Sequence, residues 1–180
     1  MARTKLTNDS KLREFSAVIA YELQMLAHAV QLESELSGGA QWSVETSSAL
    51  SRGEVMRLLR NALIESVWVH ARNLLNFLDP NYSPMKDDVV ASDYVSPAER
   101  WREVCDLEAE TAWCVGFREF VHRSVVHLGV RRLEPLPPPG DSDLRRLVRL
   151  LNLLVDAARP ELILDDLRRQ LTRIAHQPLG

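Results

Sequence analysis

The sequence has few of the features that mark secreted, membrane-spanning or metal-binding proteins. It contains two cysteines, Cys105 and Cys114, and two cysteines supply neither a disulfide framework nor a zinc site. No apolar run approaches the roughly 18 residues of a membrane span, and no signal-peptide run follows the first residues. We therefore expect a cytoplasmic protein with no membrane association, in which both cysteines are buried thiols.

Excess charge of either sign is also missing. The net charge is −3 at pH 7, so no overall positive field attracts nucleic acid, and any basic site must be local. Arginines are frequent between residues 145 and 173, but aspartates and glutamates in the same segment nearly cancel them. The pattern favours a solvated charged face over a track for phosphates.

Several catalytic motifs are absent as well. There is no glycine-rich phosphate loop, no His-Glu-x-x-His pair and no Gly-x-Ser-x-Gly elbow, and the single Glu-x-x-His pair, Glu119–His122, lacks the second pair that a ferritin-like centre needs. These absences argue against nucleotide hydrolysis, metal chemistry and a ferritin-like metal centre. We predict no metal and no cofactor.

Hydrophobic spacing predicts helices along most of the chain. Apolar residues recur at steps of three and four between residues 12 and 30, which predicts a first helix from Asn8 or Asp9 to about residue 35. A second helix over residues 52–78 is apolar on more than one face, which is typical of a central position. Its inner row includes Leu59, and its narrow polar edge carries Glu65, Arg72 and Asn76.

The rest of the chain continues this pattern. Residues 79–95 are irregular, yet their apolar residues favour packing against the bundle. Ser96-Pro97-Ala98-Glu99 predicts a capped helix start. A break near residues 105–107 would separate this helix from a longer one that ends near residue 132. Further helices are predicted from residue 141 or 142 to 158 and from Pro160 onward. We predict an all-α bundle of about six helices in one domain, residues 1–180, with a main bundle (8–132), a proline-rich connector (133–143) and a C-terminal helical pair (144–176).

The best candidate for chemistry is His127, with Arg123 and Arg131 four residues to either side. This spacing places one imidazole and two guanidinium groups on one helical surface, where they could hold a phosphate. In metal-free RNA cleavage, an imidazole moves a proton and a guanidinium stabilises charge on the phosphorus. His127 and Arg123 are therefore candidate catalytic residues and Arg131 a candidate binding residue. The alternative is a core histidine, because His127 continues the row of Trp113, Phe117 and Phe120.

A second histidine, His70, lies in the apolar row of the second helix. The plain interpretation is a partly buried imidazole bonded to a neighbouring carbonyl or carboxylate. As a functional group, it would form a binding set with Glu65 and Arg72 of the same helix. A small-molecule pocket lined by Trp68 and the aromatic row of the later helix is a further alternative, although such rows usually form core.

Residues 61–78, with the sequence NALIESVWVHARNLLNFL, and the His127-Leu128 segment resemble a group of bacterial helical proteins that in turn resemble the HEPN superfamily. The resemblance covers about residues 12–132. It implies a small α-helical bundle that is commonly dimeric, occurs in toxin–antitoxin and antiviral systems, and in many members is a metal-independent RNase. The HEPN catalytic signature has four to six residues between arginine and histidine, whereas Arg123 and His127 have three between them; only Arg169 and His176 fit it formally.

Two functions therefore remain open. The first is a HEPN-like RNA-binding protein or metal-independent RNase in bacterial defence or a toxin–antitoxin system, with RNA as ligand and a homodimer as assembly. The second is a non-catalytic interaction or dimerisation module, such as an antitoxin-like partner or an assembly subunit. This module would bind a second copy or another helical protein through an exposed apolar patch of the second helix or of residues 79–95.

Overall fold

A computed structural model describes residues 8–37, 51–83, 88–105, 116–117, 141–163 and 165–175. These ranges contain five α-helices, namely α1 (Asp9–Ser37), α2 (Arg52–Leu78), α3 (Glu99–Val104), α4 (Asp141–Ala157) and α5 (Asp165–Ala175), and two 3-10 turns, Ala91–Asp93 and Pro160–Leu162. Gly116 and Phe117 are also helical, and none of the described residues forms a strand. The predicted all-α class is confirmed. The rest of the predicted helix ending near residue 132, and most of the connector, lie outside the described residues.

Helix α1 begins as its sequence predicts. The Asn8 side-chain Oδ1 accepts hydrogen bonds from the backbone N–H groups of Ser10 (3.0 Å) and Lys11 (3.3 Å), which would otherwise lack partners in the first turn. The inner stripe is buried at Leu12, Ile19, Leu23 and Leu26. α1 therefore presents one apolar face to the core.

Helix α2 has the predicted bounds, and it starts with a capping box that hydrophobic periodicity did not reveal. The Ser51 hydroxyl accepts from the Glu54 N–H at 3.3 Å, and the Glu54 carboxylate accepts from the Ser51 N–H at 2.8 Å. The Ser51 hydroxyl also donates to the Glu54 carboxylate at 2.7 Å. This bond first, and then the bond from the Ser51 N–H and the nearby Arg57 charge, lower the pKa of Glu54 below its ordinary value. Every buried residue of α2 lies at or beyond Ile64, so residues 52–63 contribute none.

Helices α1 and α2 pack against each other in opposite directions. Phe15 in the early part of α1 contacts Phe77 near the end of α2, with ring centroids 6.3 Å apart. At the other end of the pair, Arg60 Nε lies 3.0 Å from Glu33 Oε1. This antiparallel pair is the frame on which the other elements pack.

The segment after α2 packs into the core, as its apolar residues predict. Val90, Ala91, Tyr94 and Val95 are all buried. The Tyr94 hydroxyl donates to the Leu12 carbonyl at 2.6 Å, and the Tyr94 carbonyl accepts from the Arg159 N–H at 3.1 Å. Tyr94 therefore links α1 to the connection between α4 and α5.

The C-terminal pair also buries the residues that its spacing predicts. Leu144, Leu147, Leu151, Leu154 and Val155 of α4 are buried, as are Leu167, Leu171 and Ile174 of α5. α5 packs against both α1 and α4. Across the described ranges, none of the helices is both long enough and apolar enough to cross a membrane.

Two predicted helix starts were wrong. The Ser96-Pro97 peptide bond is cis, and α3 begins at Glu99 after an Ala98 cap with no side-chain hydrogen bond, so the predicted Ser96 capping box does not form. The buried Trp101 indole donates to the Leu78 carbonyl at 3.0 Å, and this long-range bond fixes where the short helix lies. Pro160 opens only a 3-10 turn, because the backbone of Ile163 is extended and delays α5 until Asp165.

Tyr94→Phe tests the link between α1 and the C-terminal helices. Burial, and secondarily the neighbouring Asp93 carboxylate, raises the pKa of the Tyr94 hydroxyl above its ordinary value of about 10. Because the folded state holds the hydroxyl neutral, its stabilising effect is present below pH 10 and is lost as the pH rises above 10. We expect Tyr94→Phe to cost about 1 kcal/mol at pH 7 and to flatten the alkaline loss of stability in urea unfolding.

The matched control is Tyr21→Phe, because the Tyr21 side chain is 54% exposed. That variant should keep the wild-type stability at pH 7 and the wild-type alkaline profile. An alkaline profile of Tyr94→Phe identical to that of the wild type would show that the Tyr94 hydroxyl does not couple to folding.

Candidate functional site

A polar cluster of three side chains lies at the contact between α1 and α2. Glu22 Oε2 lies 2.7 Å from His70 Nδ1 and accepts a hydrogen bond from Asn73 Nδ2 at 3.1 Å. The side chains of Glu22 and His70 are 17% and 14% exposed. One carboxylate oxygen therefore gathers two groups of the neighbouring helix, the part-buried His70 imidazole and the amide of the exposed Asn73.

The local structure explains why these residues meet. His70 and Asn73 are three residues apart on α2, so both side chains point to the same side of the helix. Glu22 lies opposite them because α1 and α2 are antiparallel. Tyr21 completes the surroundings: its ring meets the His70 ring edge to face, with centroids 6.2 Å apart and planes at 82°. The cluster confirms the plain interpretation of His70 as a partly buried imidazole bonded to a carboxylate.

This geometry also defines what His70 can do chemically. Since Asn73 Nδ2 already donates to Glu22 Oε2, that oxygen acts as an acceptor, and His70 Nδ1 carries the proton in their contact. His70 Nε2 has no hydrogen-bond partner within the described part of the chain. An imidazole whose tautomer is fixed by a carboxylate can exchange a proton through its other nitrogen.

A small groove opens beside the cluster. Its walls are apolar, and Glu22 and Asn73 supply the polar atoms at one side; the apolar lining is Phe15, Val18, Ile19, Leu74 and Phe77. Its volume is about 210 Å³, below the roughly 300 Å³ at which pockets for drug-sized ligands begin. The groove is therefore suited to an inserted apolar side chain rather than to a whole nucleotide.

Glu65 and Arg72 do not join His70. At about 100° per residue, Arg72 lies roughly 160° around α2 from His70 and Glu65 roughly 140°. Glu65 is exposed and Arg72 is half-buried. On the same side of α2 as these two residues, Asn76 has a buried Oδ1 atom with no hydrogen-bond partner in the described ranges. The structure thus separates the three residues of the predicted binding set onto two sides of one helix.

The predicted catalytic residues His127 and Arg123, and the predicted binding residue Arg131, lie outside the described residues, so their roles stay predictions. From the predicted aromatic row, Phe117 is described: it is buried and its ring lies 5.1 Å from that of Trp68. This contact belongs to the hydrophobic core. The described residues include no group of three or more His, Cys, Asp or Glu side chains arranged to hold a metal ion.

A second feature is an apolar surface on α1 and α2. The large hydrophobic side chains that are exposed in the described residues all lie on these two helices: Val18 (42%), Tyr21 (54%), Leu58 (51%), Leu59 (41%) and Val69 (41%). Helical spacing places Leu58, Val69 and the exposed Ala62 on the side of α2 turned away from the core, while Leu59 lies beside them toward the inner row. We call these six residues the outer face.

The sequence predicted the opposite for Leu59, which its spacing placed in the inner row. It is exposed because residues 52–63 of α2 extend past the buried part of the bundle. The signal that could have revealed the outer face is a second apolar spacing, Leu58, Ala62 and Val69, which runs beside the inner row of the same helix.

Glu22→Ala tests how much the polar cluster stabilises the fold. The substitution leaves the part-buried His70 Nδ1 without its acceptor, whereas the exposed Asn73 amide can bond to water. We expect a loss of about 1–3 kcal/mol in the free energy of unfolding, measured by urea denaturation at pH 7. Glu14→Ala is the control, because within the described ranges Glu14 bonds only the exposed Ser10 hydroxyl, at 3.3 Å. Equal, small effects of both substitutions would contradict a stabilising role for the cluster.

Comparison with known proteins does not assign the chain to a family. No family model, no curated protein and no solved structure matches the chain. The HEPN relationship therefore stays a prediction from residues 61–78 and His127-Leu128. What the protein does has to be argued from its two surface features, the polar cluster and the outer face.

Proposed function

We propose that the protein is a non-catalytic interaction module that binds a helical protein surface through the outer face of α1 and α2. The proposal rests on one observation: the exposed large apolar side chains among the described residues all lie on these two helices. Scattered single apolar residues are normal on a protein surface, whereas a contiguous group of them marks an interaction site.

The energetics favour a covered outer face. Removing apolar surface from water contributes about 25 cal/mol per Å². Leu58 and Tyr21 each leave more than half of their accessible area in solvent, so a partner that covers the outer face gains stabilisation that the isolated chain does not have. Helical spacing supplies the geometry, since the outer face runs along α2 for more than two turns.

The first part of α2 gives a second argument. Residues 52–63 form helix without contributing a buried side chain, although packing of an apolar face normally supplies most of the stability of a helix. Among the contacts that hold this part are the Ser51–Glu54 capping box, the contact of Arg60 with Glu33 and the packing of the partly buried Leu63 on the core. A partner packed against Leu58 and Leu59 would supply the missing burial.

The groove beside the polar cluster adds a concave feature to the outer face. Val18 belongs to both features, and exposed Tyr21 is its near neighbour on α1. Tyrosines beside apolar pockets are frequent anchors of protein interfaces, because they bury a large area and lose little side-chain entropy. The arrangement suits a partner helix that inserts one apolar side chain into the groove.

A second candidate function is the HEPN-like RNA-binding protein or metal-independent RNase. One observation favours it: Glu22 orients His70 through Nδ1, which leaves Nε2 for proton exchange. The arginines that would bind phosphate in this hypothesis are Arg123 and Arg131, with His127 as the second imidazole. Bacterial defence or a toxin–antitoxin system is the setting implied by the HEPN resemblance.

Site-specific photo-cross-linking tests the interaction proposal. A photoreactive amino acid at Leu58 or Val69 should produce protein adducts in cells that express the full chain at its native level. The same amino acid at Arg168, an exposed position on α5, should produce none. Adduct formation should fall at least tenfold when Leu59→Glu is combined with the probe at Leu58, because a charge would then be buried at the interface.

Absence of protein adducts from both outer-face positions would refute the interaction proposal. Adducts that contain RNA and no protein would refute it equally and would favour the second candidate. Circular dichroism of each purified variant establishes that the probes leave the helices intact.

RNA cleavage has its own test. If the protein is a metal-independent RNase, the purified chain should cleave single-stranded RNA in the presence of a metal chelator, and His127→Ala should reduce the rate by at least a hundredfold without changing thermal unfolding. His122→Ala is the matched control on the same segment. Cleavage that survives His127→Ala would rule out the assignment of His127 as the catalyst.

A further inference from the structure

We infer that the partner of the outer face is a basic amphipathic helix: one apolar side chain enters the groove, and a lysine or arginine within one turn of it pairs with Glu22. The inference rests on the proposed function and names the chemistry of its partner. Three features of the described residues support it, namely the second oxygen of Glu22, the acidic side of α1 and the uncharged outward row of α2.

Glu22 has one carboxylate oxygen to spare. Its Oε2 atom makes both described hydrogen bonds, with His70 and Asn73, whereas Oε1 has no partner in the described part of the chain. The carboxylate lines the groove, and its contacts with α2 orient it before any ligand arrives. An ammonium or guanidinium group could make a charge-assisted hydrogen bond to Oε1, which is about twice as strong as one between neutral groups.

The side of α1 that borders the groove is acidic. Residues 14–37 of this helix include four glutamates and no lysine or arginine. Two of the four stand at the groove: Glu22 in its lining, and Glu14 one turn before Val18 of the lining. Lys11, the nearest lysine on α1, makes no ion pair with Glu14 within the described ranges. A basic partner would therefore be attracted to this border and an acidic one repelled.

The outward row of α2 contributes apolar contact without charge. The row consists of small and apolar residues with one amide, and it contains no acidic or basic residue: Val55, Leu58, Ala62, Ser66, Val69 and Asn73. An amphipathic helix can lay its apolar side along such a row, as helices do in the hydrophobic grooves that bind them. Its polar flank would then lie toward α1, where the glutamates stand.

Covering the groove makes a cation necessary. The Glu22 side chain is 17% exposed, so water can solvate it in the isolated chain. A partner that fills the groove removes this water, and a carboxylate that is buried without a partner is costly. A lysine or arginine three or four positions from the apolar anchor lies on the same side of the partner helix and can reach the carboxylate. The exposed ring of Tyr21, the neighbour of Glu22, offers a second contact for the cation.

Two synthetic helical peptides test the chemistry of the partner. Both are about four turns long and have leucines at steps of three and four; the remaining positions are lysines in one peptide and glutamates in the other. In fluorescence anisotropy with the full chain, the Leu/Lys peptide should bind about tenfold or more tightly than the Leu/Glu peptide, and the difference should shrink as salt is added. Equal binding of the two peptides, or no binding of the Leu/Lys peptide at about 1 mM, would overturn the inference.

Variants of α1 locate the binding site. Glu22→Gln keeps a carbonyl oxygen for His70 and Asn73 but removes the charge, and it should weaken Leu/Lys binding about fivefold or more. Glu14→Lys, at an exposed position, should weaken Leu/Lys binding and strengthen Leu/Glu binding, so it tests the site even if Glu22→Gln loses stability. The control is Glu35→Gln, the same charge change 13 residues from Glu22 on the same helix. This separation of about 20 Å exceeds the range of screened charges at physiological salt, so affinity should not change.

Two results with these variants would contradict the proposed site. Affinity that is unchanged in both Glu22→Gln and Glu14→Lys would show that the peptide does not bind at the groove. An equal loss in Glu22→Gln and Glu35→Gln would show attraction by net charge alone. Either result would overturn the inference.

Photo-cross-linking from Leu58 and Val69 separates this inference from the proposed function. Sequencing of the adducts should identify a partner segment with a lysine or arginine within one turn of an apolar residue. Adducts to a segment without a basic residue, or at twice the mass of this chain as a second copy would give, would overturn the basic partner and leave the interaction module in place. Absence of protein adducts would overturn both.

Discussion

The antiparallel contact between α1 and α2 is the constraint on which the rest of the structure depends. Three pairs fix its register: Phe15 with Phe77 at one end, Glu22 with His70 in the middle, and Glu33 with Arg60 at the other. Glu33 is buried, and a buried carboxylate without a partner would cost several kcal/mol. The contact with Arg60 therefore stabilises this register and disfavours registers in which Glu33 would have no partner. A shift of one helix by a single turn would break all three pairs at once.

The two ends of this helix pair are supported unequally. At the Phe15–Phe77 end, Tyr94 packs on Phe77 and bonds the Leu12 carbonyl, while the Arg159 guanidinium makes two hydrogen bonds, of 3.1 Å and 2.8 Å, to the Asp9 carboxylate. At the other end the Glu33–Arg60 pair and the α2 capping box are joined by apolar packing that reaches Ala29, Val30, Leu63 and Ile64 but does not extend to Leu58 and Leu59. Local stability should therefore decrease along α2 toward its N-terminus, because few buried apolar contacts hold that end. Leu58, Leu59 and Ala62 of the outer face lie on this less supported part, where a partner adds most.

Much of the helical framework could be predicted from the sequence, because the signals for it are local. The bounds of α2 follow from its spacing, the start of α1 follows from Asn8, and the burial of Tyr94 and Val95 follows from an apolar run without a period. The misplaced starts of α3 and α5 have a long-range or conformational cause, namely the anchoring of Trp101 on Leu78 and the extended Ile163. The candidate site depended even more on tertiary structure: nothing in the spacing of α2 reveals that Glu22 is the carboxylate bonded to His70. The separation of Glu65 and Arg72 from His70, by contrast, follows from helical geometry alone.

The two candidate functions compete for the same surface. Tyr21 belongs to the outer face and also meets the His70 ring edge to face, so a partner that covers Tyr21 lies over the imidazole that would have to exchange protons with an outside ligand. Covering the site would exclude water and strengthen the Glu22–His70 contact, which stabilises the helix pair but blocks the approach of a polymer such as RNA. Protein binding at the outer face therefore makes His70 structural, and proton transfer at His70 requires an uncovered outer face. The polar cluster can serve both roles only in alternation, with dissociation of the partner as the controlling step.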